Sequence, residues 1–140
     1  MNEQEMRQAM GAMEAYKAQL EAINEQGQLL QMSLEDYSRA KDTLEAVAKS
    51  KDGDEVLMPV GGSAYVYANV RRSDRVLVGV GSGVSMDRPT EEAIATVEAR
   101  IGELMDAMKK VSESRTVLES KMQQLSQMVQ QEYQRMQGRQ

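Results

Sequence analysis

The chain has 140 residues, a net charge of −5, 41% hydrophobic and 28% charged side chains, and no Phe, Trp, His or Cys. Without thiols or imidazoles there is no Cys nucleophile, no His base and no Cys or His metal ligand, so no enzyme, cofactor or metal site is expected. Lack of Cys suits a reducing compartment, the first five residues carry no basic-then-apolar leader, and no stretch approaches the roughly 18 apolar residues that span a membrane; a cytoplasmic location is expected. The acidic balance and the absence of a basic stripe argue against nucleic acid as a partner.

Residues from about 4 to 49 contain no Pro and two glycines, Gly11 and Gly27, among good helix formers. Met6, Met13, Leu20 and Leu34 recur at sevens, and Ala9, Tyr16, Ile23, Leu30, Tyr37 and Leu44 fall three residues on. This period predicts a long helix wound on a partner, roughly 65–70 Å in length. Lys51-Asp52-Gly53-Asp54 stops it, with Gly53 suited to the left-handed position past a helix end.

The middle changes period. Val56-Leu57-Met58-Pro59-Val60, Ala64 to Val70, Arg75 to Val80 and Val84-Ser85-Met86 read as four short strands in two hairpins. Pro59 favours an edge, an end or a bulge. Gly79-Val80-Gly81-Ser82-Gly83 resembles a phosphate-cradling loop, but a strand rather than a helix follows it, so a tight β turn is expected. Arg88-Pro89-Thr90-Glu91-Glu92 then opens a second helix, with Thr90 placed to cap it. Heptads resume as Ile94, Ile101, Met108, Met122, Val129 and Met136, with Val97, Leu104, Val111, Leu118 and Leu125 between them, and the helix ends at Gly138.

The predicted architecture is mainly α with a small β region: a long antiparallel two-helix coiled coil joined by two β-hairpins. Its expected parts are a first coil helix over 1–50, a double-hairpin assembly region over 51–89 and a second coil helix over 90–140, in one chain-level domain. Folding back on itself would bring both termini to one tip. The seam carries flaws at Gly27, Lys41, Arg115 and Glu132, and the fold-back register sets Gly27 within about a turn of Arg115. Val66, Val70, Val76, Val78 and Val80 give the small sheet more β-branched surface than a loop should expose, so it is expected to pair with β segments of other subunits.

Methionine is abundant, with 12 in the chain. Met6, Met10 and Met13 near the start and Met122, Met128 and Met136 near the end would share the tip with Leu125, Val129 and Tyr133. The seam accounts for most of them, but Met10 and Met128 fall beside it, and thioethers adapt to many partner shapes. The Gln-rich run from Gln123 to Gln140 reads as a solvated helix face.

Leu57-Met58-Pro59-Val60-Gly61-Gly62-Ser63 and Val78-Gly79-Val80-Gly81-Ser82-Gly83-Val84-Ser85-Met86, ahead of Glu91-Glu92-Ala93-Ile94, resemble the α-type subunits of the archaeal prefoldin family over essentially the whole chain. The resemblance implies an ATP-independent chaperone, a hexamer of two α and four β subunits. It implies that Val56, Leu57, Val60, Tyr65 and Val66, with Val70, Val76, Val78, Val80 and Val84, help build an oligomeric β-barrel. Coil tips would then hold non-native polypeptides for transfer to a group II chaperonin. The rival expectation is a non-catalytic coiled-coil scaffold or adaptor that binds one folded partner.

Overall fold

The structure is a computed structural model that describes residues 2–138; Met1, of the methionine count, and Gln140, of the Gln-rich run, lie outside the described residues. In chain order it contains α1 (Glu3–Lys49), β1 (Glu55–Gly61), β2 (Ala64–Asn69), β3 (Arg75–Gly81), β4 (Val84–Pro89) and α2 (Thr90–Gln137). Contacts divide it into two compact units, residues 1–32 with 106–140, and residues 33–105. Two long helices with two small antiparallel hairpins are the architecture that the heptads and the change of period predict.

In the first unit the segments of α1 and α2 run antiparallel. Met6 and Met10 share a groove with Val129 and Tyr133, Met13 shares one with Met122, and Gly27 lies beside Val111 and Arg115. Val111 and Leu118 are buried, while Tyr16, Leu20, Ile23 and Leu30 across the seam are half-buried. A pair of helices covers one apolar stripe on each and leaves the rest to solvent.

The start of α1 is held by a reciprocal cap. The amide of Glu5 donates to Asn2 Oδ1 at 2.8 Å, and the amide of Asn2 donates to Glu5 Oε2 at 3.1 Å. Two otherwise unpaired N–H groups are satisfied in this way, an arrangement whose loss costs about 1 kcal/mol.

The fold-back pairing of Gly27 with Arg115 is present: a Cβ on Gly27 would stand 3.4 Å from Arg115 Nη2 and 3.5 Å from Val111 Cγ1. Arg115 is half-buried and its Nε makes no hydrogen bond. The missing side chain of Gly27 thus makes room for a guanidinium laid across the seam. Glu132, the last seam flaw, is 3.9 Å from Arg135.

In the second unit Val70, Ala93, Ile94 and Leu104 are buried. Lys41, another seam flaw, extends to Glu98 on α2 at 3.6 Å, and Arg100 lies over the Tyr37 ring at 6.0 Å. These contacts let polar side chains bridge a seam that an aliphatic residue would otherwise fill.

The two hairpins repeat one design. β1 pairs with β2 and β3 with β4, and the register slips once in each, so that Val60 and Val80 occupy bulges. The chain then reverses through Gly62–Ser63 and Ser82–Gly83, all four residues having φ between 53° and 74°. Positive φ at both central residues is the requirement of the type I′ hairpin turn, whose twist matches the flanking strands. The Gly-rich segment is therefore a strand-to-strand turn, as its context predicts.

Short hydrogen bonds root the hairpins on the helices. Val70 exchanges backbone bonds with Gly53 and Asp54, and the Ser73 amide donates to Asp52 Oδ1 at 3.0 Å. Arg72 forks onto Asp74 through Nε–Oδ1 at 3.2 Å and Nη2–Oδ2 at 3.0 Å, and this hydrogen bonding holds the Asp74 carboxyl below its ordinary range. Thr90 departs from expectation. It is 2% exposed and is itself the first residue of α2, so its hydroxyl does not cap the helix but donates to the Ser73 carbonyl at 2.9 Å. Its amide donates to the Asp74 carbonyl at 2.9 Å.

Three substitutions at two positions check these contacts. Gly27→Ala, whose Cβ meets ordinary contact distances, should stabilise by about 0.5–1 kcal/mol through helix propensity. Gly27→Leu must displace Arg115 and press on Val111, and should fall below the wild type by about 1–3 kcal/mol in chemical unfolding followed by circular dichroism. Thr90→Val keeps the shape but leaves the Ser73 carbonyl without its donor, and should cost about 1–3 kcal/mol in the same measurement.

Candidate functional site

Exposed apolar side chains gather on two surfaces, each confined to one unit, while Leu29, Met32, Met105 and Val117 are exposed singly along the helices. In the first unit, where α1 begins and α2 ends, two grooves adjoin. One, of about 590 Å³, is lined by Met6, Met10, Val129, Gln130, Tyr133 and Gln134. The other, of about 320 Å³, is lined by Met10, Met13, Glu14, Lys17, Met122, Ser126, Val129 and Gln130. Met10, Val129 and Gln130 belong to both.

Helix geometry explains the placement. Met6 and Met13 are one heptad apart on the seam, and Met10 sits on the turn between them, four residues from Met6 and off the seam axis. It therefore stands at the groove wall with 59% of its surface exposed. Among the residues expected at the tip, Met6, Met10, Met13, Met122, Val129 and Tyr133 come together in the grooves. Leu125 is half-buried and lines neither; Met128 and Met136 are exposed and line neither. Met122, Lys17 and Gln130 belong to the lining although only Met122 carries a heptad signal. The walls offer thioether, aromatic and amide surface with one acid and one base on the rim, a composition for adaptable apolar contact rather than for chemistry.

The second surface is formed by the hairpins. Along β1 and β3 burial alternates: Val56 and Met58, then Val76 and Val78, are half-buried, while Leu57 and Leu77 are exposed. The half-buried side, with Met58, Val76 and Val78, lines a groove of about 560 Å³ with Ala40, Leu44, Ala93 and Val97 of the helices. Leu57 stands opposite Tyr67, and both are exposed, Tyr67 at 77%.

Of the residues expected to assemble subunits, Leu57, Val60, Tyr65, Val66, Val80 and Val84 are exposed, and Val56, Val76 and Val78 are half-buried. Val70 differs. It is 7% exposed within its own chain, because its backbone closes the junction with Gly53 and Asp54 and draws its side chain inward. Tyr67, Leu77 and Met86 extend the exposed set, Leu77 at 74%. Strand alternation from Val76 and Val78 was the signal for Leu77. Each hairpin is its own two-stranded sheet, so every strand presents an edge of unpaired backbone groups.

Among the described residues no group of His, Cys, Asp and Glu is arranged to hold a metal ion, and no helix is long and apolar enough to cross a membrane.

The family model described as Prefoldin subunit matches residues 16–135. The chain is 34% identical over 110 residues to prefoldin subunit alpha of Methanothrix thermoacetophila, covering 79% of this chain and 72% of that one. With the same subunit of Methanocorpusculum labreanum it shares 29% identity, covering 98% and 93% of the two chains. Among solved structures, a cryo-EM structure of filamentous PFD from Methanocaldococcus jannaschii superposes with a TM-score of 0.64 at 29% identity, over 82% of this chain and 95% of that one. A crystal structure of the prefoldin beta subunit from Thermococcus strain KS-1 also gives 0.64, at 19% identity over 91% and 90%, a likeness of fold alone.

Proposed function

Because this chain belongs to the prefoldin family of non-enzymatic chaperones, we propose that it is an ATP-independent holdase subunit that grips non-native polypeptides in the two grooves around Met10 and delivers them to a group II chaperonin. The observation that carries this reading is the joining of the two apolar grooves through Met10 and Val129 where α1 begins and α2 ends. Met6, Met13 and Tyr133 complete the grip, and Leu125, Met128 and Met136 flank it.

An unbranched thioether has several rotamers of similar energy and a polarisable sulfur, so one wall can fit many apolar side chains. A single groove of this size holds a client weakly. Several arms engaging one unfolded chain raise the effective concentration of each further contact, and the client is withheld from aggregation without any covalent step.

The exposure of the hairpin residues Leu57, Val60, Tyr65, Val66, Val80 and Val84 supports a role for the β region in assembly, with Val56, Val76 and Val78 on its half-buried side. Pairing with β-type prefoldin subunits, in a cytoplasmic hexamer of two α and four β chains with a shared β-barrel, would cover the edges that a two-stranded hairpin leaves open.

Light scattering with several unrelated denatured proteins, with and without a β-type partner, tests the reading. The assembled complex should suppress aggregation of all of them. Removing residues 1–10 and 131–140 should leave the hexamer intact by size-exclusion chromatography and abolish the suppression. Undiminished holdase activity after that truncation would remove the groove assignment, and a chain that ignores denatured clients while binding one folded protein is a scaffold instead.

A further inference from the structure

We propose that Met10 is an oxidation site: a hydroperoxide converts its thioether to the sulfoxide and so loosens the grip of both grooves on non-native chains. The inference rests on the reading of those grooves as the client-binding surface.

The sulfur inventory comes first. The chain holds 12 methionines and no cysteine, so no thiol of its own competes for an oxidant. The methionines at this coil end then separate by two independent criteria, access and position. Met6, Met13 and Met122 line a groove but are half-buried by the seam. Met128 and Met136 are exposed but line neither groove. Among the described methionines of this end Met10 alone meets both conditions, being 59% exposed and part of the wall of each groove. Of the methionines that line the grooves, the most exposed is the one whose polarity both grooves feel.

The step balances with the oxidant as the only co-reactant. A lone pair of the Met10 sulfur attacks the O–H oxygen of the peroxide, the O–O bond breaks, and the proton of the attacked oxygen passes to the departing one, which leaves as water from hydrogen peroxide or as an alcohol from an organic hydroperoxide; sulfur is oxidised by two electrons and the peroxide reduced by two. The product is a strong hydrogen-bond acceptor on a wall that was apolar. Lys17 and Gln130, in the lining beside Met10, carry N–H donors suited to such an oxygen. A client side chain that covers the sulfoxide must strip its water, a penalty that Met in its reduced form does not impose.

The experiment oxidises the full-length chain with hydrogen peroxide, removes the peroxide with catalase, and assembles the chain with untreated β-type subunits. Sulfoxide at each methionine is read by peptide mass spectrometry, helix content by circular dichroism, and client binding by titration with one denatured protein, every chain being compared with its own untreated form. Met10 sulfoxide should form ahead of that at Met6, Met13 and Met122, helix content should hold, and client binding should weaken on the order of tenfold. Reduction by methionine sulfoxide reductases should restore it. Met10→Leu should remove the response to peroxide, and Met128→Leu should retain it. Undiminished binding with Met10 fully oxidised, or an equal response in Met10→Leu, overturns the inference while leaving the groove reading intact. Loss of binding only in step with loss of helix overturns it too. An untreated wild-type assembly that binds no denatured client removes the groove reading, and this one with it.

Discussion

Two helices laid side by side cover one stripe on each and nothing more, and the rest of the molecule follows from that limit. Val111 and Leu118 in one unit, and Ile94 and Leu104 in the other, are the large aliphatic residues that α2 contributes to full burial. Their partners on α1 are mostly half-buried, because no third layer lies behind them. An apolar residue that steps off the seam has nowhere to go but the surface. Met10 does so where α1 begins, and it gives the grooves their shared wall.

The hairpins meet the same limit in another geometry. A two-stranded sheet has two faces and two edges, and the helices of its unit cover only part of one face. Leu57, Tyr67 and Leu77 on the outward side, together with every strand edge, remain open. The hydrogen bonds through Asp52, Asp54, Ser73 and Thr90 fix each hairpin at its root, so this open surface is presented in a set conformation rather than as loose loop. Preorganisation of that kind reduces the ordering cost of joining further strands.

Much of this was legible in the residues, and the rest was hidden for identifiable reasons. Heptad spacing revealed both helices and the antiparallel seam, and it revealed the Gly27–Arg115 pair because a missing side chain and an oversized one at matching positions can be read from register alone. Alternating Val and Tyr between glycines revealed both hairpins. The role of Thr90 was not legible: a Thr before two acids carries the signature of a cap, and only the approach of Ser73, distant in sequence, turns its hydroxyl elsewhere. The Asn2–Glu5 box has its spacing in the sequence, but an Asn three residues before a Glu acquires meaning only where a helix begins between them. The burial of Val70 within its own chain was not legible, because β-branched character reports strand preference and not which side of a junction the residue occupies. Leu125, Met128 and Met136 lie near the grooves in sequence, but the seam takes the first, and the others stand on the surface outside both grooves.

The Gly27–Arg115 contact also shapes how this sequence can change over generations. The two positions are not independent, since bulk at one is tolerable only when bulk at the other is withdrawn. A lineage that exchanges the glycine for a large aliphatic residue first passes through a crowded, weakened coil. One that first shortens Arg115 passes through a loosened seam that a later gain at Gly27 can fill. The order of two substitutions, rather than either alone, decides which descendants are reachable, and the pair should therefore be inherited, lost or exchanged as a unit.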